Sequence, residues 1–240
     1  MLLATSTLQD VDGVRSTVHG TAWGSVEQAA QATAEAFVQQ FPSIVLARLF
    51  ALVPFASLPA DEQAFARALV KSDARLGPRT LVLTLLGTAG AEPSWNARQA
   101  SVGHRAIPLL DQGFIEEIPM IAALLHELEV DVTRVDNAAI AMRRLLGGKN
   151  GRFYVADAAA ARDGRGRHII AGRDFVERHQ VKTVFGMGGA YVDGTIVVAI
   201  AFSSESVPVQ VVDLFPSIIG NFKMATMGMA AKGHWFAQAG

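Results

Sequence analysis

Residues 181–205, VKTVFGMGGAYVDGTIVVAIAFSSE, constrain the fold of this chain more than any other stretch. Val181, Val184 and Phe185 lead into Gly186, Gly188 and Gly189, and Asp193-Gly194 then turns the chain into 195–202, an apolar run rich in β-branched residues. Two β-prone runs around an Asp-Gly pair predict a hairpin. The second strand is apolar at nearly every position, so it has no water-facing side and predicts burial on both faces. Gly186-Met187-Gly188-Gly189 is not a phosphate loop, because such a loop opens a helix and this one runs into a strand. The glycines predict a bulge or a close backbone approach inside the sheet.

Such a strand needs layers to cover it, and the chain has the material. Of its 240 residues, 50% are hydrophobic and only 18% charged. This composition excludes a disordered tail and predicts deep burial or an apolar surface closed by a partner, which favours a homo-oligomer. The formal net charge of -1 provides no overall field for nucleic acid or an anionic membrane. With no cysteine, disulfides, thiolate catalysis and thiolate metal sites are excluded together. The first residues lack a basic region followed by a long apolar one, so no export is expected and a cytoplasmic setting fits. The longest apolar stretch, 43–60, contains Arg48 and Pro54 and reads as buried strand and turn rather than a membrane span.

Ser25 and Gln28 form a helix-start signal, followed at helical spacing by Val26, Ala30, Thr33, Phe37 and Phe41 until Pro42 ends the helix. A strand with a bend at Pro54 is predicted over 44–55, a helix over 60–70, and strands over 79–86 and 104–109 joined by a polar connection carrying Trp95. Helices are predicted over 114–129 and 138–146, a strand over 153–156, and a loop over 157–173. A last helix over 209–229 places Val212, Phe215, Ile219, Phe222 and Thr226 on one stripe, with a kink at Pro216. The order predicts an α+β class, an antiparallel sheet with helices packed on it. The two helical stripes approximate a 3.5-residue spacing, so they either pair two protomers or cover the sheet of one.

Catalytic and metal signatures are sparse. His126-Glu127 lacks the second histidine of a metalloprotease helix, since Val130 stands there. No GxSxG elbow occurs, and Asp157, Asp163 and Asp174 lack calcium-loop spacing. His104 and His168 are isolated imidazoles open to haem or metal ligation, or to ordinary local hydrogen bonds. A basic segment, 143–178, either docks an anion or is a solvated loop.

The helix–strand beginning, TAGAEPSWNARQASVGHRAIPL, IPMIAALLHELEVD, FYVADA and the 181–205 hairpin with its terminal helix together resemble divergent GAF-like sensory domains, of the type preceding bacterial histidine kinases and cyclases. The resemblance spans 25–229, leaving 1–24 as an N-terminal extension and 230–240 as a tail. It implies an antiparallel sheet of about six strands flanked by helices, a small-molecule or signal pocket on one face, and homodimerisation through terminal helices. Cyclic-nucleotide residues of that family are not visible here, and its chromophore and sulfoxide-reductase cysteines are absent. The expectation is a non-catalytic domain that binds a small molecule or protein partner and relays the signal through its terminal helices to a separate signalling protein. A haem-based gas or redox sensor and a purely structural interaction module are the alternatives. Ligand contacts are expected from Trp95, His104, Tyr154, His168, Phe185, Met187 and Tyr191, with no catalytic or metal residue assigned.

Overall fold

The hairpin forms, and it occupies the inner part of one sheet. The structure is a computed structural model that describes residues 2–19, 21–70, 76–127 and 151–237. Strand β5 (Thr183–Ala190) runs antiparallel to β6 (Ile196–Ser203), pairing Thr183 with Ser203 and Ala190 with Ile196. At the turn Gly194 adopts φ +88°, and Asp193 Oδ1 accepts the Thr195 N–H at 2.9 Å. Glycine takes that left-handed conformation without a Cβ clash.

Strand β6 pairs on its other edge with β1 (Ile44–Pro54), β1 with β2 (Leu81–Gly90), and β2 with the short β3 (Ala106–Pro108). Strand β4 (Gly151–Val155) lies outside β5. The result is a six-stranded antiparallel sheet in the order β3-β2-β1-β6-β5-β4. With helices on its faces, it has the α+β architecture that the GAF-like resemblance implies.

Alternation along the strands divides the core into two. Ala47, Leu49, Ala51 and Val53 of β1, with Val197, Ala199 and Ala201 of β6, face a layer of long helices. Leu46, Phe50 and Leu52, with Ile196, Val198, Ile200 and Phe202, face a thinner layer of short helices and loops. Two covered faces account for strands without a polar side.

The long-helix layer holds α1 (Leu8–Val18), α2 (Val26–Gln40) and, at the chain's end, α8 (Pro216–Ala231). Helix α2 starts where its signal places it. Ser25 Oγ accepts the Gln28 N–H at 3.2 Å, and the Gln28 side chain reaches back to the Gly24 N–H at 2.9 Å. Val26, Ala30, Thr33, Phe37 and Phe41 are all buried, as are Val212, Phe215, Ile219, Phe222 and Thr226. Both stripes are spent on the sheet of this one chain, so neither is a free seam for pairing two protomers. The core also crosses the expected boundaries at 24/25 and 229/230. Leu3, Val11, Val14 and Val18 on one side, and Trp235 on the other, join the same apolar cluster as Phe37 and Phe215.

The opposite layer holds α4 (Gln112–Glu116), α5 (Pro119–Glu127) and α6 (Arg173–Arg178). Helix α3 (Ala60–Leu69) follows β1, and a short α7 (Val209–Val212) precedes α8. Two helices expected to be continuous are split at proline. Pro119 opens α5 and Pro216 opens α8, rather than lying within or kinking a longer helix. Proline has no N–H to donate, which costs nothing at a first helical position. Strand β2 runs through Gly87 to Gly90, and β3 begins at Ala106, two residues after His104. The helix expected over 138–146 lies outside the described residues. Among the described residues, no helix is long and apolar enough to cross a membrane.

Candidate functional site

The thin layer leaves a cavity of about 280 Å³ over the centre of the sheet. Its floor is Leu46, Arg48 and Phe50 of β1 with Ile200 and Phe202 of β6. Its walls come from Trp95 and His104 on the 91–105 connection, the start of α5, residues 169–172 and Phe175 of α6. The aromatic walls brace one another. Phe175 meets Phe202 at 5.3 Å and Trp95 at 5.5 Å between ring centroids, both edge to face.

Arg48 is the fully charged residue in this lining. Strand parity puts it on the cavity face, between Leu46 and Phe50, and burial pulls its pKa down to about 10, which leaves it charged at neutral pH. Its Nη1 donates to the Gly103 carbonyl at 3.5 Å and its Nη2 to Ser101 Oγ at 3.4 Å, both at the outer limit of hydrogen bonding. Its Nε is buried without a partner, and so is Oγ1 of Thr88, the residue opposite Arg48 in the β1–β2 ladder. Among the described residues no carboxylate pairs with Arg48. His104, at φ +55°, is exposed over part of its surface, yet desolvation of its ring beside the sheet and the Arg48 charge hold its pKa below the usual value, so the neutral imidazole is favoured.

The expected ligand residues divide between the two faces. Trp95 and His104 line the cavity. Tyr154, Phe185, Met187 and Tyr191 lie on the long-helix side, so they do not meet a ligand there. Tyr154 donates its hydroxyl to the Val207 carbonyl at 2.8 Å, and Phe185 packs edge to face on Phe215 at 5.2 Å. The Tyr191 hydroxyl is 2.6 Å from Thr226 Oγ1, beside Trp235, and burial pushes its pKa up. His168 sits on the neighbouring loop, its Nδ1 3.5 Å from Arg173 Nη1, while Ile169 and Ile170 after it line the cavity. The sequence reading missed Arg48, Phe50, Phe175 and Phe202 as lining residues. One signal was available: Arg48 is a lone charge in IVLARLFALV, a strand otherwise apolar on both faces.

Several arginines of the basic segment are spent on carboxylates of this chain. Arg165 pairs with Glu116, Arg152 with Asp213, and Arg167 with Asp163 at 2.8 Å. Arg143, Arg144 and Lys149 lie outside the described residues.

A second buried polar cluster anchors the loop that supplies Trp95 and His104. Arg98 bonds Glu27 of α2 and the fully buried Glu62 of α3, and Arg105 donates to Glu62 at 2.8 Å and pairs with Asp61. Burial pushes the Glu62 carboxyl up, against the pull of Arg105 and Arg98. Glu27 Oε2 accepts the Ala237 N–H at 2.8 Å, and the Arg98 guanidinium stands 5.2 Å from the Phe236 ring centre. The first N–H groups of α2 donate to the carbonyls of His234 (3.0 Å) and Trp235 (2.9 Å). The chain's end therefore serves as a cap for α2 and touches the same arginine as the cavity loop.

No family model matches the chain, and no curated protein matches it. Solved structures similar to it include the GAF domain from an Acinetobacter phosphoenolpyruvate-protein phosphotransferase, with TM-score 0.46, 9% identity, and coverage of 93% of this chain and 94% of that one. Free methionine-R-sulfoxide reductase from Neisseria meningitidis, in complex with its substrate, gives 0.48, 12%, 97% and 98%. The phycoerythrobilin-bound GAF domain from a cyanobacterial phytochrome gives 0.48, 12%, 96% and 99%. At identities of 9–12% these likenesses carry no chemistry over, and the site has to be read from this chain's own residues.

Proposed function

We propose that this chain is a non-catalytic sensory domain that binds a small molecule in the cavity over β1 and β6. The observation that carries the reading is the enclosure itself, apolar and aromatic, with few polar groups, over a sheet otherwise covered on both sides. Among the described residues no serine, threonine, lysine, tyrosine or carboxylate lines the cavity to act with His104, and no three His, Asp or Glu side chains converge as a metal site. Both facts support binding over catalysis.

Occupancy is relayed through the 91–105 connection. Its Trp95 and His104 touch the cavity while its Arg98 holds Glu27 and Phe236, so a ligand that shifts the loop acts on α2 and on the chain's end. A separate signalling protein or a second copy of the chain receives that change. For a homodimer, Met224 and Met227 stand exposed on α8, outside the stripe that covers the sheet. A cytoplasmic setting belongs to the same proposal.

Haem fits this site poorly. The cavity, at about 280 Å³, falls below the roughly 300–1,000 Å³ of pockets that engulf drug-sized ligands, and a tetrapyrrole is larger still. A purely structural module calls for a filled core, which the cavity does not provide. The test is ligand-detected NMR with a panel of small acids, amides and amines, on the native chain and on Ala171→Trp, which places an indole at the exposed rim. Saturable binding to the native chain, abolished by Ala171→Trp without a change in melting, is expected. Binding should also alter the hydrogen exchange of the Val26 and Glu27 amides that cap onto 234–235. Binding that survives Ala171→Trp counts against this cavity, and unchanged exchange at those amides against the relay.

A further inference from the structure

Among the described residues, Arg48 holds no counter-charge. In a guanidinium, Nε and Nη2 lie side by side and form the fork that takes a carboxylate through two parallel hydrogen bonds. Here Nε has no partner and Nη2 makes only the 3.4 Å contact with Ser101. Arg98, which is buried, and the half-buried Arg105 each hold carboxylates, whereas the half-buried Arg48 holds none among the described residues. A guanidinium withdrawn from water without a counter-charge is costly, and the usual resolution is an anion from elsewhere.

We infer that the cavity takes a small monocarboxylate with an aryl or branched-alkyl body, its carboxylate paired with the Arg48 guanidinium. This deepens the ligand-binding reading above and rests on it. Charge sets the first limit. With His104 neutral, the described lining carries one positive charge, so one negative charge matches it and a phosphate dianion leaves a charge uncompensated. Among the described residues no lining residue is acidic, so the ammonium group of an amine or a free amino acid meets Arg48 without a partner. Size sets the second. About 280 Å³ equals roughly nine water molecules at about 30 Å³ each, which suits one ring or a short branched chain. Shape sets the third, because Phe50, Trp95, Phe175 and Phe202 present ring edges and faces to whatever follows the carboxylate.

Phenylacetate, its neutral amide phenylacetamide and the cation phenethylamine separate charge from shape. On the native chain, phenylacetate should bind at least tenfold tighter than phenylacetamide, shifting the Ile200 and Phe202 amide signals, and phenethylamine should not bind. Arg48→Met removes the charge and keeps much of the volume. It should weaken phenylacetate by about ten- to a hundredfold, the range for a charged hydrogen bond, while binding phenylacetamide no less well and melting no lower than the native chain. If Arg48→Met does not fold, Arg48→Lys serves, since it keeps the charge and loses the fork; phenylacetate should again weaken. Equal affinity for acid and amide, or a phenylacetate affinity unmoved by the Arg48 variants, overturns the anion assignment and leaves the cavity as a binding site. No saturable binding by any of the three overturns the cavity reading together with it.

Discussion

Gly87→Ala tests how closely the long-helix layer is seated on the sheet behind the cavity. A methyl group at Gly87 would stand 2.3 Å from the Ala30 carbonyl carbon, 2.4 Å from its oxygen and 2.5 Å from the Gln31 nitrogen. These are backbone atoms of α2, so no rotamer change relieves the contact. Ordinary van der Waals contact begins near 3.4 Å, so α2 and β2 must separate by about 1 Å. Such a gap forfeits about a quarter to a half of the dispersion attraction between the facing surfaces, here those of Ala30, Ala34 and Phe37 against β1 and β2. Overpacking of this kind costs about 1–3 kcal/mol and occasionally more, while alanine returns about 0.4–1 kcal/mol by restricting the unfolded chain. With rigid backbone on both sides, the upper part of that range applies, a net loss of about 2–3 kcal/mol. For a chain of this length that lowers Tm by roughly 4–12 °C.

Urea unfolding followed by far-ultraviolet circular dichroism measures the loss directly, and Gly228→Ala is its control. Gly228 lies within α8 with open space around the added methyl. The same chemical change there should stabilise by about 0.5–1 kcal/mol through helix propensity. If Gly87→Ala unfolds within about 0.5 kcal/mol of the native chain at an unchanged urea dependence, α2 is not seated on β2 at Gly87, and the account of the two-layer core fails.

Two further predictions concern the polar groups. Arg98→Ala leaves Glu62 buried with Arg105 as its remaining guanidinium partner and should cost about 3–5 kcal/mol, the range for breaking a buried pair; adding Glu62→Leu should recover part of it, and a strictly additive double variant would refute the coupling. His104 contributes stability that is present above its unfolded pKa of about 6.5 and is lost as pH falls through its lower folded value, because the unfolded chain takes up the proton first. Native and His104→Asn proteins, compared by urea unfolding from pH 7 to pH 5, should therefore diverge, with the native chain losing more; parallel curves would refute the depressed pKa. Asparagine is chosen because it tolerates the positive φ at that position.

Much of the fold was legible because its signals are local. The Asp193-Gly194 turn, the Ser25 cap and the runs that became β1, β2, β5 and β6 depend on residues a few positions apart. Helix α1 was not anticipated, although Asp10 accepts the Thr7 N–H at 2.8 Å in a cap readable from its sequence. Helix α6 is not anticipated either: only Arg173 falls in the loop expected over 157–173, and six residues are too few for a periodicity to register. The site was less legible. Trp95 and His104 line the cavity, yet Tyr154, Phe185, Met187 and Tyr191 belong to the opposite core, and Arg48 was read only as an interruption of an apolar stretch.

The sequence by itself determined that the central strands are buried on both faces and where their turns and caps lie, because periodicity and turn chemistry act between near neighbours in the chain. Only the tertiary structure decided which face carries the cavity. Alternation says that Val184 and Phe185 point opposite ways, but not which layer each will meet. That choice follows from packing: α2 and α8 fill one side, while the shorter elements on the other leave space above Arg48, bringing it together with His104, Phe175 and Phe202 from distant parts of the chain.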